Sequence, residues 1–145
     1  MERMIYSVKL TPDCIDGGFT VTCHDFPEVM TQGETLTDCL AEAADCIEEA
    51  IASCIKRGAD IPEPSEPLAG EQLVAVPLSM SLKAALYQAM NEEGISKSEL
   101  ARRMGNDEKD VRRMLDPRHP TKAPAIERAL SFLGRRVIVG IRKAA

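Results

Sequence analysis

The sequence predicts an α+β protein, in which an N-terminal β-β-β-α-β domain precedes an all-α domain with a terminal dimerisation strand. Three observations carry this prediction. Short runs rich in β-branched and aromatic residues fill most of the first 35 positions, whereas from Ser79 the apolar spacing becomes helical and stays so almost to the end. A Pro-rich stretch separates the two regimes. The charge divides at the same place: residues 1–70 hold 4 Lys/Arg and 14 Asp/Glu, a net of -10, and residues 71–145 hold 14 and 9, a net of +5. An acidic half steers toward basic surfaces and repels phosphate, while a basic half does the reverse.

In chain order, "MIYSVKL" and "GGFTVTCHDF" are strand-like runs, and "TPDCIDGG" between them supplies the Pro, Asp and Gly residues that suit a turn. They predict a β-hairpin. "EVMTQG" predicts a third short strand, ended by Gly33. Thr35 then stands as the N-cap of a helix running to about Lys56. Leu36, Leu40, Ala43, Ile47, Ala50, Ile51, Cys54 and Ile55 recur there at three- and four-residue steps, and Asp38 holds the capping-box position. Glu34, Asp38, Glu42, Asp45, Glu48 and Glu49 occupy mostly the other side. "RGADIPEPSEPLAGEQ" contains three prolines and two glycines and predicts an extended connector over residues 57–71. "EQLVAVPL" returns as a strand of the first domain, which is expected to span 1–78.

The second domain, 79–145, is expected to hold four helices. "SMSLKAALYQAMNEEG" carries Leu82, Ala85, Leu86, Ala89 and Met90 on one stripe and stops at Gly94. "SKSELARRMG" starts on a Ser cap, has Glu99 three residues on and stops at Gly105. "NDEKDVRRMLD" follows and halts before Pro117, and "TKAPAIERALSFLG" has Thr121 or Lys122 near its start and Gly134 beyond its end. In "RRVIVGIRKAA", Val137, Val139 and Ile141 alternate with Ile138, Gly140 and Arg142, which is a strand pattern. A lone strand is an edge hazard, so pairing with its copy in a second chain is expected. Val137, Val139 and Ile141 are the expected dimer contacts.

Bulk composition narrows the functional classes. Of the 145 residues 44% are hydrophobic and 28% charged, as in a soluble globular protein, and the 3% aromatic share with no Trp leaves a core of Ile, Leu, Val, Met and Ala. No apolar run approaches the roughly 20 residues that cross a bilayer, and "MERMIYSVKL" lacks a signal-peptide h-region, so no membrane partner and a cytoplasmic location are expected. The five cysteines (Cys14, Cys23, Cys39, Cys46, Cys54) form an odd set without a C-x-x-C pair, which predicts reduced thiols. Cys39, Cys46 and Cys54 share one helical face as small apolar residues. His24 lies near them, yet the ligand spacings of structural zinc are absent. No metal and no cofactor are expected. His119 in "PRHPTK" reads as a loop or capping residue.

A helix-turn-helix requires a small residue inside its first helix, a glycine at the turn and apolar anchors on both helices. Ala101, Gly105 and the set Leu100, Met104, Val111 and Met114 supply them. The pattern resembles the helix-turn-helix of Cro/repressor-type DNA-binding domains, with one departure: Asn106, after the glycine, is usually apolar there. The candidate DNA-binding residues are Lys97, Ser98, Arg102, Glu108, Lys109, Arg112, Arg113 and Lys122. Arg112 and Arg113 can reach guanine edges or phosphates, Glu108 can accept from a cytosine amino group, and Lys97, Arg102 and Lys122 suit phosphate contacts. Asp107 caps the second helix.

In the acidic half, "GGFTVTCHDFPEVMTQGET" followed by an acidic amphipathic helix resembles the N-terminal domain of HicB-type antitoxins. The matching residues are Asp25, Phe26 and Pro27, then Thr31, Gln32, Gly33, Glu34 and Thr35. The likeness continues through "AVPLSMSLKAALYQAM", "SELARRMG" and "HPTKAPAIERALSFLG". It implies a partial ribonuclease-H-like first domain, a helix-turn-helix second domain and a HicA-type toxin partner, a small basic ribonuclease. Asp25, Phe26, Glu28, Gln32 and Glu34 are the candidate toxin contacts. Ribonuclease-H chemistry needs carboxylates converging on a metal, one of them on the first strand. "IYSVKL" offers none, so an enzyme is not expected.

The expected function is an antitoxin that masks its toxin by occlusion and binds operator DNA of its own operon as a homodimer, or as a tetramer of paired dimers. The alternative is a one-component transcriptional regulator whose first domain senses a small molecule. An enclosed apolar pocket in that domain would favour the alternative, and a flat acidic face the antitoxin.

Overall fold

The chain is described by a computed structural model covering residues 3–144; Met1, Glu2 and Ala145, the outermost residues of the two expected domains, lie outside the described residues. The elements follow as β1 (Ile5–Pro12), β2 (Phe19–Cys23), β3 (Met30–Gly33), α1 (Leu36–Arg57), β4 (Gln72–Ala75), α2 (Leu78–Glu93), α3 (Lys97–Met104), α4 (Glu108–Leu115) and α5 (Ala123–Phe132). The architecture is α+β, antiparallel strands with a helix and then helices, as the patterning predicts.

The strands form one antiparallel sheet in the order β3-β2-β1-β4. Strand alternation points Tyr6, Val8, Val21, Cys23 and Val74 at α1, where all five are buried. α1 answers with Cys39, Ala43, Ile47, Ala50, Ile51 and Cys54, a single stripe of buried residues. Thr35 caps the helix by accepting from the Asp38 amide at 3.1 Å, a bond of a kind that contributes about 1 kcal/mol. The start of α1 lies so close to β3 that a Cβ on Gly33 would stand 2.9 Å from both the backbone nitrogen and Sγ of Cys39. That close approach is the physical reason for glycine in "TQGET". On the outer sheet face the register sets Lys9 beside Thr22, Ser7 beside Leu73 and Thr22 beside Met30.

The connector is strapped down. Ile61 is buried, the Tyr6 hydroxyl donates to the Pro62 carbonyl at 2.6 Å, and Ser65 donates through both its amide and its hydroxyl to the Asp25 carboxylate. Burial pushes the Tyr6 phenol well above its ordinary pKa, with the Asp25 charge adding, so it stays a donor.

A second core gathers Leu82, Leu86, Ala89 and Met90 of α2 with Leu100 and Met104 of α3, Val111 and Met114 of α4 and Ile126 and Leu130 of α5. α2 serves both cores. Its Met80 and Ala84 belong to the first, with Tyr87 packed against both, and the Tyr87 hydroxyl donates to the Ala59 carbonyl at 2.8 Å just beyond α1. Two helix faces are therefore covered, so Ala84 is fully buried while Ala85 of the expected stripe is half-buried. Residues 135–144 form no strand in the single chain, where no neighbouring strand offers a ladder. Val137 packs partly on the second core, whereas Ile138 and Ile141 are 87% and 99% exposed. Arg135, at the start of this segment, is tied to Glu92 and Glu93 at 2.7 and 2.9 Å.

Candidate docking and nucleic-acid interfaces

The acids of α1 that alternate with its buried stripe meet the loop after β2 along an open groove of about 380 Å³. Glu28 and Val29 come from the loop; Asp45, Cys46, Glu49, Ala50 and Ser53 come from the helix. Asp45 and Glu49 stand four residues apart and so share one helix face. Three carboxylates over an apolar floor suit a cationic side chain of a protein partner better than an enclosed small molecule.

The expected toxin contacts divide accordingly. Glu28 lines the groove, and Glu34 is exposed just before the α1 cap. Gln32 is exposed on β3 opposite Thr20, which places it on the outer sheet face. Asp25 is engaged with Ser65 and holds the connector. Phe26 is only 1% exposed and lies against Tyr6 with ring centroids 4.8 Å apart, so its side chain packs into the core. Asp45 and Glu49 were absent from the expected contacts. Their i, i+4 spacing was visible in the sequence, but the loop that completes the groove was not.

Among the described residues no three His, Cys, Asp or Glu side chains are grouped to hold a metal ion. Burial pushes the thiols of Cys23, Cys39 and Cys54 up, which keeps them protonated and poorly reactive. His119 Nδ1 lies 3.0 Å from Thr121 Oγ1, in a loop as its surroundings predict.

In the basic half α3 and α4 are joined by a short turn in which Gly105 has φ +69°, a left-handed conformation that favours glycine. Ser96 and Asp107 cap the two helices, accepting from the amides of Glu99 and Lys109. Asn106 does not make the apolar contact expected after the glycine. Its Oδ1 accepts from Arg128 at 2.8 Å, and the same guanidinium donates to the Met104 carbonyl at 2.8 Å. A polar clamp from α5 thus replaces an apolar plug.

Lys97, Ser98, Arg102, Lys109, Arg112, Arg113 and Lys122 are all exposed. Several are internally paired: Glu99 holds Arg102 at 2.6 Å and Arg103 at 3.1 Å, and Glu108 holds Arg112 at 3.0 Å. Hydrogen bonds from the two arginines hold the Glu99 carboxyl down at about 2. Sequence reading missed Lys83. Although charged, it is 2% exposed, and its ammonium donates to the carbonyls of Arg113 and Met114 and to Thr121 Oγ1 at 2.9 to 3.2 Å. No helix among the described residues is long and apolar enough to cross a membrane.

Residues 5–85 match the family model described as "HicB_like antitoxin of bacterial toxin-antitoxin system". The chain is 34% identical over 134 residues to Antitoxin HicB of Escherichia coli (strain K12), covering 92% of this chain and 96% of that protein. It is 33% identical over 141 residues to Antitoxin HicB 1 of Photorhabdus laumondii subsp. laumondii, covering 97% and 89%, and 34% identical over 132 residues to Antitoxin HicB of Pseudomonas fluorescens, covering 88% of each.

Proposed function

The chain belongs to the HicB-like antitoxin family, and from that premise we propose that its first domain masks a small basic HicA-type ribonuclease toxin while its second domain binds operator DNA of its own operon as a homodimer. The observation that carries the first half is the groove of Glu28, Asp45 and Glu49 over Val29 and Ala50. A toxin that cleaves RNA needs cations near its active centre to bind phosphate, and a carboxylate-lined groove competes for those cations. Masking is then occlusion, with no bond made or broken in the antitoxin. Opposite charge on the partners also speeds capture, most at low ionic strength.

Support for the second half is the exposed basic surface of α4 and its neighbours, assembled on a helix pair with a glycine turn. Lys109, Arg112 and Arg113 supply charge and forked donors for base edges and phosphates, and Lys97, Arg102 and Lys122 add phosphate contacts. The exposure of Ile138, Val139 and Ile141 supports the dimer reading, in which this segment becomes a strand by pairing with its copy.

One experiment tests the division of labour in the full-length chain. The triple reversal Glu28→Lys, Asp45→Lys, Glu49→Lys is expected to abolish rescue of growth from the co-expressed toxin while operator binding in a gel shift is retained. Rescue undiminished by the reversal would remove the groove from the docking surface. Removal of residues 135–145 is expected to give a monomer in light scattering, with operator affinity lost, because two half-sites about 34 Å apart must be held together.

A further inference from the structure

Lys83 is a charged residue of α2 that is almost wholly buried. It is enclosed between α2 and the end of α4, and burial lowers its pKa while Asp116 opposes the shift. Taking a cation out of water is unfavourable unless every donor is matched. Here the match is complete. The three ammonium protons meet three oxygens, the carbonyls of Arg113 and Met114 and the hydroxyl of Thr121. Both carbonyls belong to the last turn of α4, and that of Arg113 also accepts from the amide of Asp116, the C-cap, at 3.2 Å. Thr121 Oγ1 donates in turn to the Arg113 carbonyl at 3.2 Å, so that one peptide group is gripped from two sides.

Arg112 and Arg113 spring from that same turn. We propose that Lys83 is a positioning residue for DNA reading: from α2 it fixes the C-terminal turn of α4 and with it the directions in which Arg112 and Arg113 leave the helix. The proposal rests on α4 being the helix that reads DNA. Neighbouring residues give the grip its rigidity, since Leu82 and Leu86 of α2 lie in the second core while Met80 and Ala84 lie in the first. A guanidinium that reads a base must arrive with its fork aligned, whereas a phosphate contact tolerates misalignment, because it depends mainly on charge. Loss of the grip therefore lowers discrimination between sequences more than it lowers attraction to DNA as such.

The test uses the full-length protein, a duplex from the region upstream of its own gene, and a scrambled duplex of equal length and composition. Lys83→Met keeps the aliphatic stem and removes the donors. It is expected to weaken binding to the upstream duplex at least tenfold while binding to the scrambled duplex changes less than twofold. Unchanged discrimination overturns the proposal, and so does an equal loss on both duplexes, which would mark a role in folding alone. Should Lys83→Met fail to melt cooperatively, Thr121→Val decides: a several-fold loss of discrimination is expected, and full retention overturns the proposal. The double variant Arg112→Ala, Arg113→Ala separates this outcome from failure of the DNA-reading assignment. If that variant discriminates as well as the unaltered chain, α4 does not read DNA, whatever Lys83 does.

Discussion

Asn106 is the residue at which the helix pair departs from its expected pattern, and the structure gives the reason. Arg128 needs an acceptor beside the Met104 carbonyl, and Asn106 Oδ1 is that acceptor. An apolar residue at 106 would leave the guanidinium with one partner fewer. Asn106→Leu and Arg128→Met are therefore each expected to destabilise the chain by about 0.5–1 kcal/mol, since each removes a hydrogen bond that water replaces only in part. The double variant should cost less than the sum of the two, because it removes both partners together. Urea denaturation of the four proteins checks this; strict additivity would mean that the clamp contributes nothing. Glu99 makes a second residue-level case. Its carboxyl, held down at about 2 by Arg102 and Arg103, lies below the ordinary 4.5 of a glutamate, so its contribution to stability is present above pH 4.5 and is lost as pH falls toward 2. The group is exposed, so the effect on stability is small. Glu99→Gln should flatten that part of the acid limb, and it should also release Arg102 and Arg103, steepening the salt dependence of DNA binding. An unchanged slope would show that the two arginines do not face DNA.

Among elements, α2 is the one whose role the sequence conceals. Its sixteen residues carry two interleaved apolar stripes: Met80, Ala84 and Tyr87 on one side, Leu82, Leu86, Ala89 and Met90 on the other. The sequence analysis takes Leu82, Ala85, Leu86, Ala89 and Met90 as one stripe and sets the domain boundary before the helix. Other elements are legible because their signals are local. The caps at Thr35, Ser96 and Asp107 and the strand alternation of β1 each depend on residues a few positions apart. What escapes is contact across long stretches of chain, such as Asp25 with Ser65, Tyr6 with Pro62, or Phe26 with Tyr6, because no periodicity marks a turn residue that is buried by a distant neighbour. The expected cut at residue 78 meets this difficulty directly. A fragment 1–78 lacks Met80, Ala84 and the Tyr87 hydroxyl that holds Ala59, whereas 1–94 retains them. The longer fragment is expected to melt cooperatively in circular dichroism, and the shorter to melt at least several degrees lower or without cooperativity. Equal melting would restore the earlier boundary.

Across the whole molecule, the net charges of -10 and +5 sit on two cores that one helix joins. Under the proposed function the same long-range field draws the protein partner and the nucleic acid to different ends, and added salt should slow both encounters. The strapped connector has a further consequence, in what a cut chain would do. Glu66 to Gly70 form its most exposed stretch, a natural place for a protease to enter. Yet β4 follows that stretch and pairs with β1, from Ile5 opposite Ala75 to Val8 opposite Gln72. Backbone hydrogen bonds and the packing of α2 on α1 would hold the two pieces together after a single nick. Limited proteolysis should accordingly give two bands on a denaturing gel and one peak, at the size of the intact protein, in size-exclusion chromatography. Separation of the pieces would mean that the peptide link, not the sheet, joins the halves. On this expectation the molecule is a split protein already assembled, its two pieces held by the pairing of β4 with β1 and the packing of α2 on α1 rather than by the connector's peptide link.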